Sequence, residues 1–189
     1  MTPDQSVLWS VEGSDRGIIL LPEDPAPEIV DLLFNVNTSN PNLELVGVGA
    51  RDTGAAKVYR LGDYALRVTE GTSDPSHGGL AWLSANISLS VALRSCQAPD
   101  ILPNGVRTPT YLGAINGSGG SLVVMSYEGD GRRHTEGGIS NQVDRHCQAA
   151  LRSTFPDLEV FTDPASDNLL VGQNDAIKLD VQPAIRFRF

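Results

Sequence analysis

Three side chains near the end of the sequence have the types and the spacing of a magnesium site. Asp163 follows an apolar run, Asn168 comes five positions later, and Asp180 comes twelve positions after that. Short apolar runs frame all three, and the segment 172–175 (GQND) has the composition of a hairpin turn. Carboxylate and amide oxygens are the ligands that hard divalent cations prefer. The pattern therefore predicts that these side chains share Mg²⁺ ions bridged by phosphates.

This pattern resembles the protein-kinase-like superfamily. In that superfamily a catalytic Asp is followed five positions later by a metal-binding Asn, then by an apolar triplet, a hairpin and a second metal-binding Asp. The resemblance is carried by residues 158–183. It implies that Asp163 is the catalytic-loop base, that Asn168 and Asp180 bind Mg²⁺, and that ATP is the nucleotide.

The apolar periodicity and the turn signals along the chain predict an α+β fold. By the resemblance, this fold has a kinase-like N-lobe, which is a five-stranded antiparallel sheet with a regulatory helix. A much reduced C-lobe follows, with one helix and the hairpin described above. The strands are predicted at 43–48, 57–61, 64–68, 108–115 and 121–126, and the helices at about 27–36, 80–98 and 139–153.

The resemblance also implies which residues of the N-lobe contact the nucleotide. A glycine-rich stretch after the first strand corresponds to the loop that covers the phosphates, through Gly47, Gly49 and Gly54. Arg67 lies near the end of the third strand, where the family has its phosphate-holding Lys. Tyr127 and Glu128 correspond to the hinge, whose backbone groups bind the edge of the purine.

Several positions depart from the family pattern. Arg67 keeps the positive charge of the expected Lys, but its forked guanidinium is not equivalent to an ammonium. The helix that should supply a partner Glu contains none, because no acidic residue occurs between Asp74 and Asp100. Phe161 replaces the His that precedes the catalytic Asp, and residues 181–182 (VQ) replace the Phe-Gly that follows the metal-binding Asp.

The elements suggest three segments along the chain. Residues 1–40 form an N-terminal extension of strands and a helix, residues 41–130 form the N-lobe and hinge, and residues 131–189 form the C-lobe. Only nine residues follow Asp180, so we expect the helices that bind a peptide substrate in ordinary protein kinases to be missing. A second copy or another protein could complete the missing part, and we therefore expect a protein partner or a homo-oligomer.

Composition excludes some classes of partner. The net charge is −9 and no basic run occurs, which argues against nucleic acid. No apolar stretch approaches the ~18 residues of a membrane span, and the N-terminus has no secretory signal pattern. We therefore expect a cytoplasmic protein, with Cys96 and Cys147 as free thiols.

Two functional hypotheses follow. The chain is a kinase-like protein that binds Mg-nucleotide, with weak or no phosphotransferase activity towards a hydroxyl of a protein or small molecule. Alternatively, it is a catalytically inactive pseudokinase that acts as a protein-interaction or regulatory module. Small-molecule kinases of the aminoglycoside and choline type share the spacing of Asp163 and Asn168 and provide a third reading.

Overall fold

The structure is a computed structural model. It describes residues 7–9, 18–20, 26–37, 41–48, 56–70, 79–96, 101–117, 120–130, 133–134, 138–156, 158–161, 169–179 and 182–187. The chain divides into two compact units, which we call the first unit (residues 1–80 and 110–127) and the second unit (residues 81–109 and 128–189).

The described residues form fourteen strands and three helices in a mixed α+β order. In chain order the elements are β1 (Val7–Trp9), β2 (Ile18–Leu20), α1 (Pro27–Asn35), β3 (Val36–Asn37), β4 (Leu43–Val48), β5 (Ala56–Leu61), β6 (Tyr64–Glu70), α2 (Gly79–Ser95), β7 (Val106–Arg107), β8 (Tyr111–Gly117), β9 (Gly120–Ser126), β10 (Arg133–His134), α3 (Gly138–Thr154), β11 (Leu158–Phe161), β12 (Leu169–Val171), β13 (Ala176–Lys178) and β14 (Gln182–Phe187).

The first unit is built on a six-stranded antiparallel sheet with the order β2-β8-β9-β6-β5-β4. Its five consecutive strands from β8 to β4 are the five that the sequence predicts, and β2 adds a sixth strand at the edge. The five-stranded antiparallel sheet is therefore confirmed. Strand β8 begins at Tyr111 rather than at Thr108, and Pro109, which has no amide N–H for a ladder, lies between those two positions.

The core of the first unit lies between α1 and one face of this sheet. Helix α1 presents apolar residues at the spacing of a single helix face, and these contact the sheet. Each large aliphatic side chain buried in this way stabilises the fold by about 1.5–3 kcal/mol. The buried members of the cluster are Ile29, Leu33, Leu66, Val68, Ile115, Leu122 and Val124.

The second unit combines α2 and α3 with a four-stranded sheet of order β10-β12-β13-β7. Strands β13 and β7 pair in parallel, whereas the other two pairings in this sheet are antiparallel. Strands β11 and β14 form a separate antiparallel pair. The buried cluster of this unit is supplied mainly by the two helices, through Ala85, Leu89, Ala92, Leu93, Val143, Cys147, Ala150 and Leu151, together with Leu102, Val106, Leu169 and Ala176.

The turn between β5 and β6 requires glycine. Gly62 has a φ of 59°, and among the described residues no non-glycine residue has a positive φ. A side chain at this position would meet no atom within 4 Å, so its cost would be conformational strain alone. The sequence signal at Gly62 and Asp63 is thus explained by the left-handed conformation of the first turn residue.

We expect Gly62→Ala to lower the free energy of unfolding by about 1–2 kcal/mol, because a Cβ is disfavoured in the left-handed region. Urea denaturation measures the change. Gly138→Ala is the matched control, because Gly138 also has no neighbour within 4 Å but has no positive φ. The control should change stability by no more than about 0.5 kcal/mol. Equal losses in the two variants would contradict the role of backbone strain.

Within the described part of the chain, no helix is both long enough and apolar enough to span a membrane.

Candidate functional site

Part of the predicted site falls outside the described residues. Asp163, Asn168 and Asp180 lie there, and so do two of the predicted phosphate-loop glycines, Gly49 and Gly54. Within the described ranges, no group of three or more His, Cys, Asp or Glu side chains is arranged to hold a metal ion. The magnesium site therefore stays a prediction. The described residues that adjoin it in the sequence are those of strands β12 and β13.

The hairpin predicted between the two metal-binding positions is present. Strands β12 and β13 pair antiparallel, from Val171 opposite Ala176 to Leu169 opposite Lys178. The amide N–H of Gly172 donates to the carbonyl of Asp175 at 2.9 Å and closes the turn. In the sequence, Asn168 directly precedes the open end of this hairpin, and Asp180 follows it by two positions. The sequence therefore continues from the open end of the ladder into both predicted ligands.

One face of the first unit's sheet carries the predicted phosphate contact, Arg67. Directly opposed residues of antiparallel strands point to the same face, which places Arg67 with Val58 and Val123. Its Nη1 donates to Thr69 Oγ1 at 2.8 Å, and Thr69 is buried. Val58 and Arg67 are half-buried, whereas Val123 is buried, so a ligand on this face would meet the first two.

This face, which we call the arginine face, also carries Arg60 and Ala65, which are opposed to each other. Arg60 places its guanidinium 4.1 Å from the centroid of the Tyr127 ring. Glu44 stands opposite Arg60 and offsets part of its charge. Most neighbours of the two guanidinium groups on this face are buried, among them Ala65, Thr69 and Val123.

Gly47 lies on β4 opposite Val58. A Cβ added at Gly47 would lie 3.7 Å from Val58 Cβ, which is ordinary van der Waals contact. Packing around this residue therefore does not require glycine. Gly47 therefore lies on the arginine face, one residue before the end of β4.

The backbone N–H of Tyr127, predicted to bind the purine, already has a hydrogen-bond acceptor within the first unit. Its amide N–H donates to the carbonyl of Asp63 at 2.8 Å and ties the end of β9 to the β5–β6 turn. A purine bound at this position would therefore have to be recognised by other backbone groups than that N–H. The ring of Tyr127 is engaged as well, by the guanidinium of Arg60.

Glu128 uses its carboxylate in an ion pair within the second unit. Its two oxygens accept from Nη1 and Nη2 of Arg107 at 3.1 and 2.7 Å. Arg107 Nε also lies 3.7 Å from Asp175 Oδ2, in the turn of the β12–β13 hairpin. The side chain of Glu128 therefore has a structural role, and any contact with a nucleotide would be made by its backbone.

A concave surface lies in the first unit between α1 and the β5–β6 turn. This cavity of about 490 Å³ is lined by Glu28, Asp31 and Asp63 together with Tyr64. The hydroxyl of Tyr64 donates to Glu28 Oε1 at 3.4 Å, and its pKa is raised by burial and by the neighbouring charges of Glu28 and Asp63. The concentration of carboxylates disfavours direct contact with phosphate in this groove.

Sequence reasoning did not anticipate a buried ion pair in the second unit. Lys178, at the end of β13, has 2% of its side chain exposed, and its Nζ lies 3.7 Å from Oδ1 of Asp144 on α3. Lys178 follows two buried apolar residues in β13, and the sequence of this three-residue strand does not indicate that the lysine is buried. The sequence does indicate that Asp144 is buried, because it lies on the helix face that contains Ser140, Cys147 and Leu151.

Cys147 lies beside this ion pair. Burial raises the pKa of its thiol from 9.0 to about 12, Lys178 lowers that pKa and Asp144 raises it. The thiol is therefore protonated at neutral pH and is not a nucleophile. Because the folded-state pKa is raised, the resulting contribution to stability is complete below pH 9 and is lost as the pH rises towards 12.

No protein-family model matches the chain, and no curated protein matches it significantly.

Proposed function

We propose that the chain is a kinase-like protein that binds a Mg²⁺-nucleotide and has weak or no phosphotransferase activity. The observation that carries the proposal is the β12–β13 hairpin, because its register ends at Leu169 and Lys178. The adjoining sequence positions on both sides of that end are the oxygen-bearing Asn168 and Asp180. A carboxylate and an amide suit a magnesium ion better than a softer metal.

The order of elements in the chain supports the same proposal. Strands β4, β5 and β6 are followed by helix α2, by β8 and β9, and then by helix α3 and the hairpin, with the short strands β7, β10 and β11 between them. This is the succession that the resemblance requires. Fold analogy alone does not establish a function, so the assignment depends on the residues at the site.

The charges of the first unit also support binding of an anion. Arg60 and Arg67 lie on the arginine face, whereas the groove with Glu28 and Asp31 is formed by α1, which packs on the other face. In a chain of net charge −9, this separation keeps the two guanidinium groups away from the carboxylates of that groove.

In this proposal each residue has a defined task. Asn168 and Asp180 hold Mg²⁺, Arg67 contacts phosphate, and Asp163 orients the acceptor hydroxyl and accepts its proton. The metal, when bound, neutralises negative charge on the phosphate oxygens. The acceptor is a hydroxyl of a protein or of a small molecule.

The alternative is a pseudokinase that serves as a protein-interaction or regulatory module. Two observations favour it. The amide N–H of Tyr127 donates to the carbonyl of Asp63, and the carboxylate of Glu128 accepts hydrogen bonds from Arg107. Both reduce the groups available to a purine. The departures at Arg67 and Phe161 favour this alternative as well.

Titration calorimetry with ATP in the presence and absence of Mg²⁺ tests the proposal. We expect the wild type to bind MgATP and Asp180→Ala to lose that binding at concentrations where the wild type saturates. Asp31→Ala is the matched control, because it also removes one carboxylate but lies in the acidic groove. Absence of binding by the wild type at millimolar MgATP would refute the proposal. Binding by wild type and retention of a biological effect by Asp163→Ala would favour the non-catalytic alternative.

A further inference from the structure

Strand β4 is one of the two edges of the first unit's sheet. In the part of the chain that the structure describes, β4 pairs with β5 on one side and with no strand on the other. The outer side of an edge strand presents backbone N–H and C=O groups that another extended segment can pair with in register. Natural edge strands are often short or carry Lys or Pro, and these features prevent such pairing. The opposite edge, β2, has only three residues.

Strand β4 has little of this protection. It has six residues with the sequence LELVGV, which contains neither Lys nor Pro and has a single charge, that of Glu44. The ladder with β5 has one extra residue, Val46, between Leu45 and Gly47. A bulge of this kind disrupts a ladder locally and increases the twist of the strand. We therefore expect a short ladder on the outer side of β4 rather than an extended fibre.

The apolar side chains of β4 are exposed. Among the described residues, three of the six exposed large apolar side chains lie on this strand, namely Leu45 at 52%, Val46 at 40% and Val48 at 58%. Through the register of β5, Leu45 shares a face with Leu66, and Val48 shares the same face with Val68. Leu66 and Val68 belong to the core between α1 and the sheet. The apolar face of the sheet therefore continues onto β4, where it is exposed.

The sequence of β4 is complementary to itself about a two-fold axis. When two identical antiparallel strands are related by such an axis, one residue lies opposite its own equivalent, and residues equally distant from it oppose each other. With Leu45 on the axis, Glu44 opposes Val46 and Leu43 opposes Gly47. The single charge of the strand then faces an apolar side chain. An axis at Glu44 would oppose two carboxylates, which is unfavourable, and an axis at Val46 would lie on the bulge.

We propose that two copies of this chain form a two-fold dimer through antiparallel pairing of their β4 strands, with Leu45 on the axis. The pairing joins the two six-stranded sheets and covers apolar side chains that are exposed in a single copy. Each copy uses its outer β4 edge, so the assembly closes at two copies. The inference is independent of the proposed function, because neither a metal nor a nucleotide takes part in it.

Sedimentation velocity over a series of protein concentrations tests the inference. The wild type should change from monomer to dimer as the concentration rises. Leu45→Lys and Leu45→Glu should each raise the dimer dissociation constant by at least about ten-fold, because like charges then face each other and an apolar contact is lost. An equimolar mixture of the two variants should dimerise at concentrations at which each variant alone is monomeric, because opposite charges then meet across the axis.

Val91→Lys is the matched control for these variants. Val91 is 43% exposed, as an apolar residue on α2 rather than on β4. This substitution also introduces an ammonium on the surface, and it should leave the dimer dissociation constant unchanged. The variants at Leu45 and Val91 should all keep the unfolding midpoint of the dilute wild type, because they replace exposed side chains.

Three results would overturn the inference. The first is a wild type that remains monomeric at millimolar concentration. The second is a dimer whose dissociation constant Leu45→Lys does not change, because the contact would then lie elsewhere on the chain. The third is a mixture of the Leu45→Lys and Leu45→Glu variants that does not dimerise, because Leu45 would then not lie opposite its own equivalent.

Hydrogen exchange on the wild type keeps the test decisive if the variants do not fold. The amides of β4 should exchange more slowly at a concentration at which the dimer forms than in dilute solution. The amides of β6, which lies inside the sheet, are the internal reference and should exchange equally in both samples. Equal exchange of the β4 amides in a dilute monomer and a concentrated dimer would show that no second copy pairs with this edge.

Discussion

Asp144→Ala should lower the free energy of unfolding by about 3–5 kcal/mol, because it removes the carboxylate that lies 3.7 Å from the buried ammonium of Lys178. The loss is large because both side chains are almost completely buried, so water cannot replace the lost carboxylate. The same substitution removes the acceptor of Gln148. Chemical denaturation followed by circular dichroism measures the change.

Arg145→Ala is the control for this prediction. Arg145 is the next residue on α3, carries a charge and is exposed. Its removal should change the free energy of unfolding by no more than about 0.5 kcal/mol. A loss below about 1 kcal/mol in Asp144→Ala would show that the ammonium of Lys178 is stabilised without Asp144.

Leu66→Ala should cost about 2–5 kcal/mol, because Leu66 is fully buried in the core between α1 and the sheet. Removal of three carbon atoms leaves a cavity that the neighbouring strands can fill only partly. The same substitution at Leu45 is the control, because Leu45 and Leu66 both lie opposite Tyr59 on one face of the sheet. Leu45 is 52% exposed.

Leu45→Ala should therefore cost less than about 1 kcal/mol. The two variants share the change in side chain and in strand propensity, so the difference between their midpoints of urea unfolding measures burial. Similar losses at the two positions would mean that Leu66 is not buried more deeply than Leu45.

The sequence predicted those elements whose apolar pattern is local and repeated. The hairpin at Gly62 and the amphipathic helix α3 belong to this group, because turn chemistry and a 3.6-residue period act within a few residues. The β7–β13 pairing could not be predicted. Each partner contributes two residues, too few for a period, and only the tertiary fold brings them together.

The candidate site divides in the same way. The sequence predicted the β12–β13 hairpin, because apolar runs flank a turn sequence. The magnesium ligands predicted beside it lie outside the described residues. Two features of the site depend on contacts between residues that are distant in the sequence, and spacing could not predict them. The amide of Tyr127 is engaged by a turn that lies far away in the sequence, and Lys178 is buried because an acidic residue from α3 meets it.

The parallel pairing of β7 with β13 has a consequence for synthesis of the protein. Val106 and Ala176 are 70 positions apart, so a ribosome that adds about 5–20 residues per second needs roughly 4–14 s to deliver the partner of β7. The sheet of the first unit can be completed once Ser126 has emerged. During the remaining interval the nascent chain carries one sheet with all of its strands, whereas β7 is present without the strand that pairs with it. Cellular factors that bind unfinished chains have their longest opportunity at β7.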